Sequence, residues 1–306
     1  MNLNFDFQNV ITAEFGIGQD DGDDHTFVFV SVDGEVQGAL RDMSQTTWTA
    51  MQKQATTPTK YEPSEKYASC EYVYLPLTDH LAARMHDLHT ANNLPTDGNA
   101  LGNPSEVFCY FARFTDKHYR RLTALRRATQ FKGVLKSRLI RLVSDALKLV
   151  EDKIFKLDVD FDLLIDVHNL HILRPSGFEF VGELQQAVLA AVPKNIEAIK
   201  QDLKFVDFAT IAEYAGQHPR AARCLASIRV QEETKQIDKG LLKKHCKRMG
   251  IEVKESKSKL VVNGDDVMRF LEVLDRRQFE LELVKGKPER FKAGSRSRLR
   301  SSGGEA

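Results

Sequence analysis

The chain has 306 residues, with 44 Lys+Arg against 43 Asp+Glu and a formal net charge of +1 at pH 7. Hydrophobic residues make up 42 % and charged residues 28 %, with 18 Gly and 9 Pro, a balance that excludes collagen-like, fibrous and wholly disordered chains. The most apolar short stretch, Ala187 to Val192, stops at Pro193, far short of the roughly 20 residues that span a bilayer.

In chain order, Val10 to Phe15 and Thr26 to Val32 read as strands, the second running Phe27, Val28, Phe29, Val30 into the turn pair Asp33-Gly34. Apolar spacing turns helical between Val36 and Gln54, and Thr56 to Pro63, with Pro58 and Pro63, reads as a loop. Glu71 to Leu75 and Val107 to Phe114 read as strands flanking a helix from Asp79 to Asn92, which Thr78 or Asp79 would cap. The middle holds short apolar runs of strand length at Arg138 to Val143, Lys148 to Lys156, Phe161 to Val167 and Leu170 to Leu173. After Pro175-Ser176-Gly177 the period is helical, over Phe180 to Val192, Asn195 to Leu203, Ala209 to Ala215, Pro219 to Arg229 and Asp238 to Met249, where Gly250 supplies a C-cap. Ile251 to Glu255 with Lys259 to Val262 predicts a hairpin, Asp265 to Asp275 a helix, and Gln278 to Val284 a strand with Phe279, Leu281 and Leu283 on one face. Beyond Gly286 the Lys/Arg/Ser/Gly composition predicts disorder when unbound. The expected fold is α+β: a mixed β-rich N-terminal and central region (1–178), a mainly helical C-terminal region with a β-hairpin (179–286), and a basic tail (287–306).

The small net charge hides an asymmetry. Met1 to Phe111 holds 5 Lys+Arg against 16 Asp+Glu, and Ala112 to Ala306 holds 39 against 27. A basic half points to an anionic partner, nucleic acid above all. Its densest segment carries Arg113, Lys117, Arg120, Arg121, Arg126, Arg127, Lys132, Lys136, Arg138 and Arg141 against the single acid Asp116, interleaved with Phe114, His118, Tyr119 and Phe131. Cations mixed with rings suit phosphate contact and base stacking; the competing reading is a basic surface paired with the acidic first third. The tail adds Lys285, Lys287, Arg290, Lys292, Arg296, Arg298 and Arg300 against Glu289. Between these lies a hint of a winged helix-turn-helix, Ala209 to Met249 plus the hairpin, with Lys239, Lys243, Lys244, Lys247 and Arg248 on its third helix and Lys254, Lys257 and Lys259 around the hairpin turn.

Signals for chemistry are weaker. Asp158, Asp160, Asp162 and Asp166 fail as a calcium loop, since Leu163 stands at the sixth position and Asn169 at the twelfth; alternation with Leu157, Val159 and Phe161 reads as a two-faced strand. Glu252-Val253-Lys254 has the spacing of half a metal-nuclease site, without a convincing upstream Asp. His86 and His89 share a helix face with His80 nearby, and His168 and His171 form a second pair, each read as structural before metal-binding. Cys70, Cys109, Cys224 and Cys246 are too dispersed for a zinc module or disulfide framework and are expected as free, mostly buried thiols. No secretory signal or cofactor fingerprint is read, so a cytoplasmic, cofactor-free protein without assigned catalytic residues is expected.

The runs Gln130-Phe131-Lys132-Gly133-Val134-Leu135-Lys136-Ser137, Phe155 to Asp166, and Ile172-Leu173-Arg174-Pro175-Ser176-Gly177-Phe178-Glu179 resemble the KwaB family, the soluble subunit of the bacterial Kiwa anti-phage system, over roughly Phe108 to Phe291. The resemblance implies a DNA-binding effector that restrains phage DNA replication or expression without enzymatic activity. It also implies a small multi-pass membrane protein as partner, recruitment to the inner face of the cell membrane, and self-association at least as a homodimer. A metal-dependent nuclease and a protein scaffold without DNA affinity stay open as alternatives.

Overall fold

Alternating apolar residues build the first of two units. The computed structural model describes residues 3–20, 22, 25–54, 58–65, 67, 71–98, 106–128, 140–143, 146–149 and 157–293. One unit comprises Met1–Tyr61 and Tyr67–Leu184, the other Glu62–Lys66 and Gln185–Ala306.

In the first unit, strands β1 (Val10–Asp20), β2 (His25–Val30), β3 (Pro58–Lys60), β4 (Tyr72–Pro76), β5 (Val107–Asp116) and β6 (Arg121–Arg127) precede a separate hairpin of β7 (Ile140–Val143) and β8 (Ala146–Leu149); β9 (Leu163–Ile165) and β10 (Asn169–Ile172) follow. Eight of them form one sheet in the order β2-β1-β5-β6-β9-β10-β4-β3, antiparallel except for the β3–β4 pair. Strand β5 is buried from Val107 to Phe114, as a central strand covered on both faces should be. Helix α1 (Gly34–Gln52) starts where the Asp33 side chain accepts from the Val36 N–H at 2.9 Å. It buries Leu40, Met43, Ser44, Thr47 and Met51, a three-to-four-residue stripe; its apolar members share a core with Tyr110, Ala112, Phe114, Leu122 and Leu164 of the sheet. Helix α2 (Ala83–Thr90) serves the opposite face, where Arg113 donates to the Leu88 carbonyl at 2.6 Å and His89 meets Thr123 at 2.9 Å. Helix α3 (Pro175–Val181) carries its proline in the first turn, where no N–H is needed. A Cβ at Gly177 would overlap the Asp162 carboxylate, so only glycine lets α3 begin against that group.

The second unit is helical. Helices α4 (Gln185–Ala190), α5 (Val192–Asp202), α6 (Ala209–Ala215), α7 (Pro219–Arg229) and α8 (Lys239–Arg248) lead into the hairpin β11 (Val253–Ser256) and β12 (Lys259–Val262); α9 (Val267–Leu274) and the hairpin β13 (Gln278–Val284) and β14 (Lys287–Lys292) follow. The core runs through Val192, Ile196, Leu225, Ile228, Leu242, Phe270 and Leu271. The segment before α6 is stitched to β12, with Leu260 N–H donating to Phe205 at 2.7 Å and Asp207 N–H to Leu260 at 2.8 Å.

The α+β architecture, β-rich first and helical later with hairpins, is as the sequence pattern predicts. Several local expectations are corrected. Arg121 to Arg127, read as part of a basic surface, is β6 in the interior of the sheet. The loop from Thr56 contains β3, whose Pro58 sits on an edge strand. Residues 157–162 form no strand: Val159 is exposed and Phe161 fully buried, because the intervening carboxylates turn toward arginines. The helix expected over Phe180 to Val192 is broken at Glu183, whose φ of 55° is left-handed. Disorder after Gly286 does not hold for Lys287–Lys292, which pair with β13 as β14 while Lys292 reaches the buried Glu272; residues 294–306 lie outside the described residues.

Candidate nucleic-acid interface

Cations clustered in sequence are dispersed by the sheet. Alternate residues of a strand face opposite ways, so in β6 Arg121 and Arg127 share the face of α2, while Arg126 shares that of α1. Each finds a local counterpart. Arg113 is buried, donates to the Leu88 carbonyl and lies 5.1 Å from the centre of the Phe29 ring. Arg121 donates to the His89 carbonyl at 2.9 Å and to Asn92 at 3.2 Å. The guanidinium of Arg127 rests 3.7 Å from the centre of the Phe180 ring. At the β5–β6 turn, Arg120 grips Asp116 through Nε at 2.7 Å and Nη2 at 2.6 Å, and Lys117 pairs with Asp6 at 3.1 Å. Burial alone would raise the Asp116 carboxyl, but the Arg120 side chain and the N–H groups of Arg120, Asp6 and His118 outweigh it and hold it at about 2. Thus Arg113, Lys117, Arg120, Arg121, Arg126 and Arg127, expected as phosphate contacts, each have a partner within the fold. Lys132, Lys136, Arg138, Arg296 and Arg298 lie outside the described residues, as does the side chain of Arg141 on β7.

The carboxylate run is the other half of this arrangement. Arg126 contacts Asp158 and Asp160 at 3.2 Å and Asp162 at 3.0 Å. Arg174, at the start of α3, meets both oxygens of Asp160 at 2.8 Å and Asp162 at 3.3 Å. Tyr110 donates to Asp158 at 3.0 Å, and Asp162 accepts from the Arg127 N–H at 2.8 Å. Burial raises the Asp162 carboxyl against the pull of that N–H and of both guanidiniums. Three carboxylates satisfied by two arginines fasten the 157–162 segment to β6 and α3. The pairing of Arg174 with these acids has no local signal in the sequence, since they lie more than ten residues upstream; only the fold brings them together.

The histidines separate. His80 and His86 are exposed beside Asp79 and Asp87, at 3.2 and 3.5 Å, whereas His89 is buried on Thr123. Burial, aided by Arg121 and then Arg113, pulls the His89 imidazole down to about 4. His168 is exposed; His171 is buried between Asp166, at 3.0 Å, and the hydroxyl of Tyr72. Cys109, Cys224 and Cys246 are free and buried as expected, and burial raises the thiols of Cys224 and Cys246 to about 12; Cys70 lies outside the described residues.

Helix α8 differs from β6 in how its cations are left. Asp238 caps it through the Leu241 N–H at 2.8 Å, and Gly250, at φ 68°, follows its C-terminus. Leu242, Cys246 and Met249 are buried, a four-and-three spacing that aims one stripe into the core. The remaining face carries the lysines. Glu255 of β11 holds Lys239 at 2.6 Å and Lys243 at 3.0 Å, and these two contacts, Lys239 first, lower its carboxyl to about 2. Lys244, Lys247 and Arg248 are exposed, and among the described residues none of them forms an ion pair. Lys243, Lys244 and Lys247 line a cleft with Gly240, Gly250 and β11. Beside it the β11–β12 turn is tight, with Lys257 and Ser258 at φ 49° and 65°, and exposes Lys257 and Lys259; Lys254 pairs with Glu252 at 3.2 Å, both on the surface. The preceding helix, α7, buries Ala221, Ala222 and Cys224 through Ile228 and so cannot enter a groove; α8 is the helix with a free basic face. In the tail, Arg290 lies 3.7 Å from Glu280, and Lys292 is tied to Glu272.

The family described as Kiwa protein KwaB-like matches residues 105–282, which runs from the start of β5 through α8 into β13 and covers more than half of the chain. No curated protein and no solved structure matches. Among the described residues no helix is long and apolar enough to cross a membrane. The chain belongs to the KwaB-like family of Kiwa proteins and is thereby a component of Kiwa anti-phage defence.

Proposed function

We propose that this Kiwa component is a DNA-binding effector that attaches to phosphates without strong sequence preference and restrains phage DNA replication or expression non-enzymatically. One observation carries the reading: Lys244 and Lys247 stand exposed, without ion pairs, on a helix rigidly backed by the core and flanked by the basic β11–β12 turn. Cations left free on a regular element suit phosphate contact, which positions a protein on a duplex without reading bases. In this reading the effector works at the inner face of the cell membrane with a small multi-pass membrane partner and associates with a second copy of itself. A nuclease using Asp158, Asp160 and Asp162 is disfavoured by their engagement with Arg126 and Arg174, and the pairing of Glu252 with Lys254 weakens the other carboxylate set.

Binding to fluorescent duplex DNA across a salt series tests the proposal. Salt-sensitive binding is expected, and Lys244→Ala with Lys247→Ala should flatten the log–log slope by about 0.9 for each phosphate contact removed. Absence of binding at low salt would reject DNA affinity and favour the scaffold alternative, whereas divalent-dependent cleavage of plasmid DNA would overturn the non-enzymatic assignment.

A further inference from the structure

Exposed apolar side chains gather at one place in the second unit. Leu241 is 68 % exposed and Leu283 82 %, and Phe279, Leu281, Val284 and Phe291 are exposed as well. Phe279 and Leu281 share one face of β13, the exposed Leu283 follows across a shift in register, and Phe291 stacks on Phe279 with ring centres 5.5 Å apart. From Leu281 to Lys292 every residue of this hairpin is exposed. A two-stranded ribbon wetted on both faces is marginal by itself. At its base is a recess between α8, α9 and β13, with an apolar floor of Leu241, Leu242, Val273, Leu274 and Phe279 and a charged rim of Asp238, Lys244, Arg248 and Arg276. The surface therefore holds both an apolar ridge and an apolar hollow.

We infer that this surface is an interface with a second copy of the chain, related by a two-fold axis, with the β13–β14 ridge of each copy seated in the α8–α9 recess of the other. It rests on the self-association included in the proposed function and assigns a place to it. A two-fold contact requires one patch to present both complementary shapes, and here ridge and hollow adjoin through Phe279. The exposed apolar area is roughly 600 Å², taking side chains of ordinary size. That reaches the upper end of patches on monomers, about 300–600 Å², and meets the apolar share of the about 800 Å² that each partner of a standard interface buries. Charge agrees. Glu289 faces Leu281 in the register and so lies on the ridge face, exposed and without an ion pair among the described residues; Arg248 at the recess is exposed and unpaired too. Packing one copy on the other brings these opposite charges together.

Sedimentation equilibrium of the full chain over a range of concentrations tests the interface. The wild type is expected to dimerise. Leu283→Asp should weaken the dimer by more than about a hundredfold, because burial of this leucine is lost in both copies. Glu289→Arg should weaken it by roughly tenfold, and Arg248→Glu added to Glu289→Arg should restore it, the exchanged ion pair being re-formed twice; a folding defect would not be rescued this way, and thermal melting of each variant checks the fold. A dimer indifferent to Leu283→Asp and to the charge exchange overturns this surface while self-association stands. A wild type monomeric at every concentration overturns self-association itself and leaves the DNA salt series to judge DNA binding independently.

Discussion

Strand β6 and helix α8 are both rich in Lys and Arg, three of seven residues in one and five of ten in the other, and they use them in opposite ways. In β6 the period of two sends Arg121 and Arg127 to one side of a covered sheet and Arg126 to the other, where carbonyls, a ring and three carboxylates take them up. In α8 a single stripe of Leu242, Cys246 and Met249 faces the core. Of the outward residues Lys239 and Lys243 pair with Glu255, whereas Lys244 and Lys247 are exposed and keep their charge available. A count of cations along the chain weighs the two segments alike; burial and pairing separate an arginine engaged within the fold from a lysine left exposed.

Breaking the comparison on the β6 side should have the largest effect. Arg126→Ala strips Asp158, Asp160 and Asp162 of a nearly buried partner, and an expected loss of about 3 kcal/mol would appear as a lower urea midpoint. Little change would mean that Arg174 and solvent suffice. Next, Gly177→Ala pushes a methyl group onto the Asp162 carboxylate and should cost about 1–3 kcal/mol by overpacking, again read from urea unfolding. A smaller and pH-dependent effect belongs to His89, whose folded imidazole sits near 4 against an ordinary value of 6.5. Between those values the unfolded chain binds the proton and the folded one does not, so stability is intact above about pH 6.5 and falls as the pH drops toward 4; His89→Gln should flatten that part of the urea-midpoint profile. The smallest effect sharpens the α8 side. Lys244→Ala and Lys247→Ala should leave unfolding within about 0.5 kcal/mol of wild type, and a larger loss in the melting curve would show these lysines to be structural after all.

Amphipathic periodicity and caps made much of the fold legible. Ala209–Ala215, Pro219–Arg229 and Gln278–Val284 are elements with the boundaries the pattern predicts, and Asp238 and Gly250 bracket α8 as N-cap and C-terminal glycine. Those signals are local, carried by side chains within one turn or one strand. Strand β6 was hidden because its polar ends, Arg121, Arg126 and Arg127, resemble a surface, and only Leu122, Thr123, Ala124 and Leu125 between them are buried.

Membership of the KwaB-like family and the lysine face of α8 were also readable from the chain alone, one in short runs of residues, the other in a helical charge pattern. What the tertiary structure decided is which charges remain free. The pairings of Arg126 with Asp158, Asp160 and Asp162, of Arg174 with Asp160, and of Lys292 with Glu272 join residues 14 to 36 positions apart. Such pairs form only where strand register and helix packing set one side chain against another, and linear spacing carries no record of that distance.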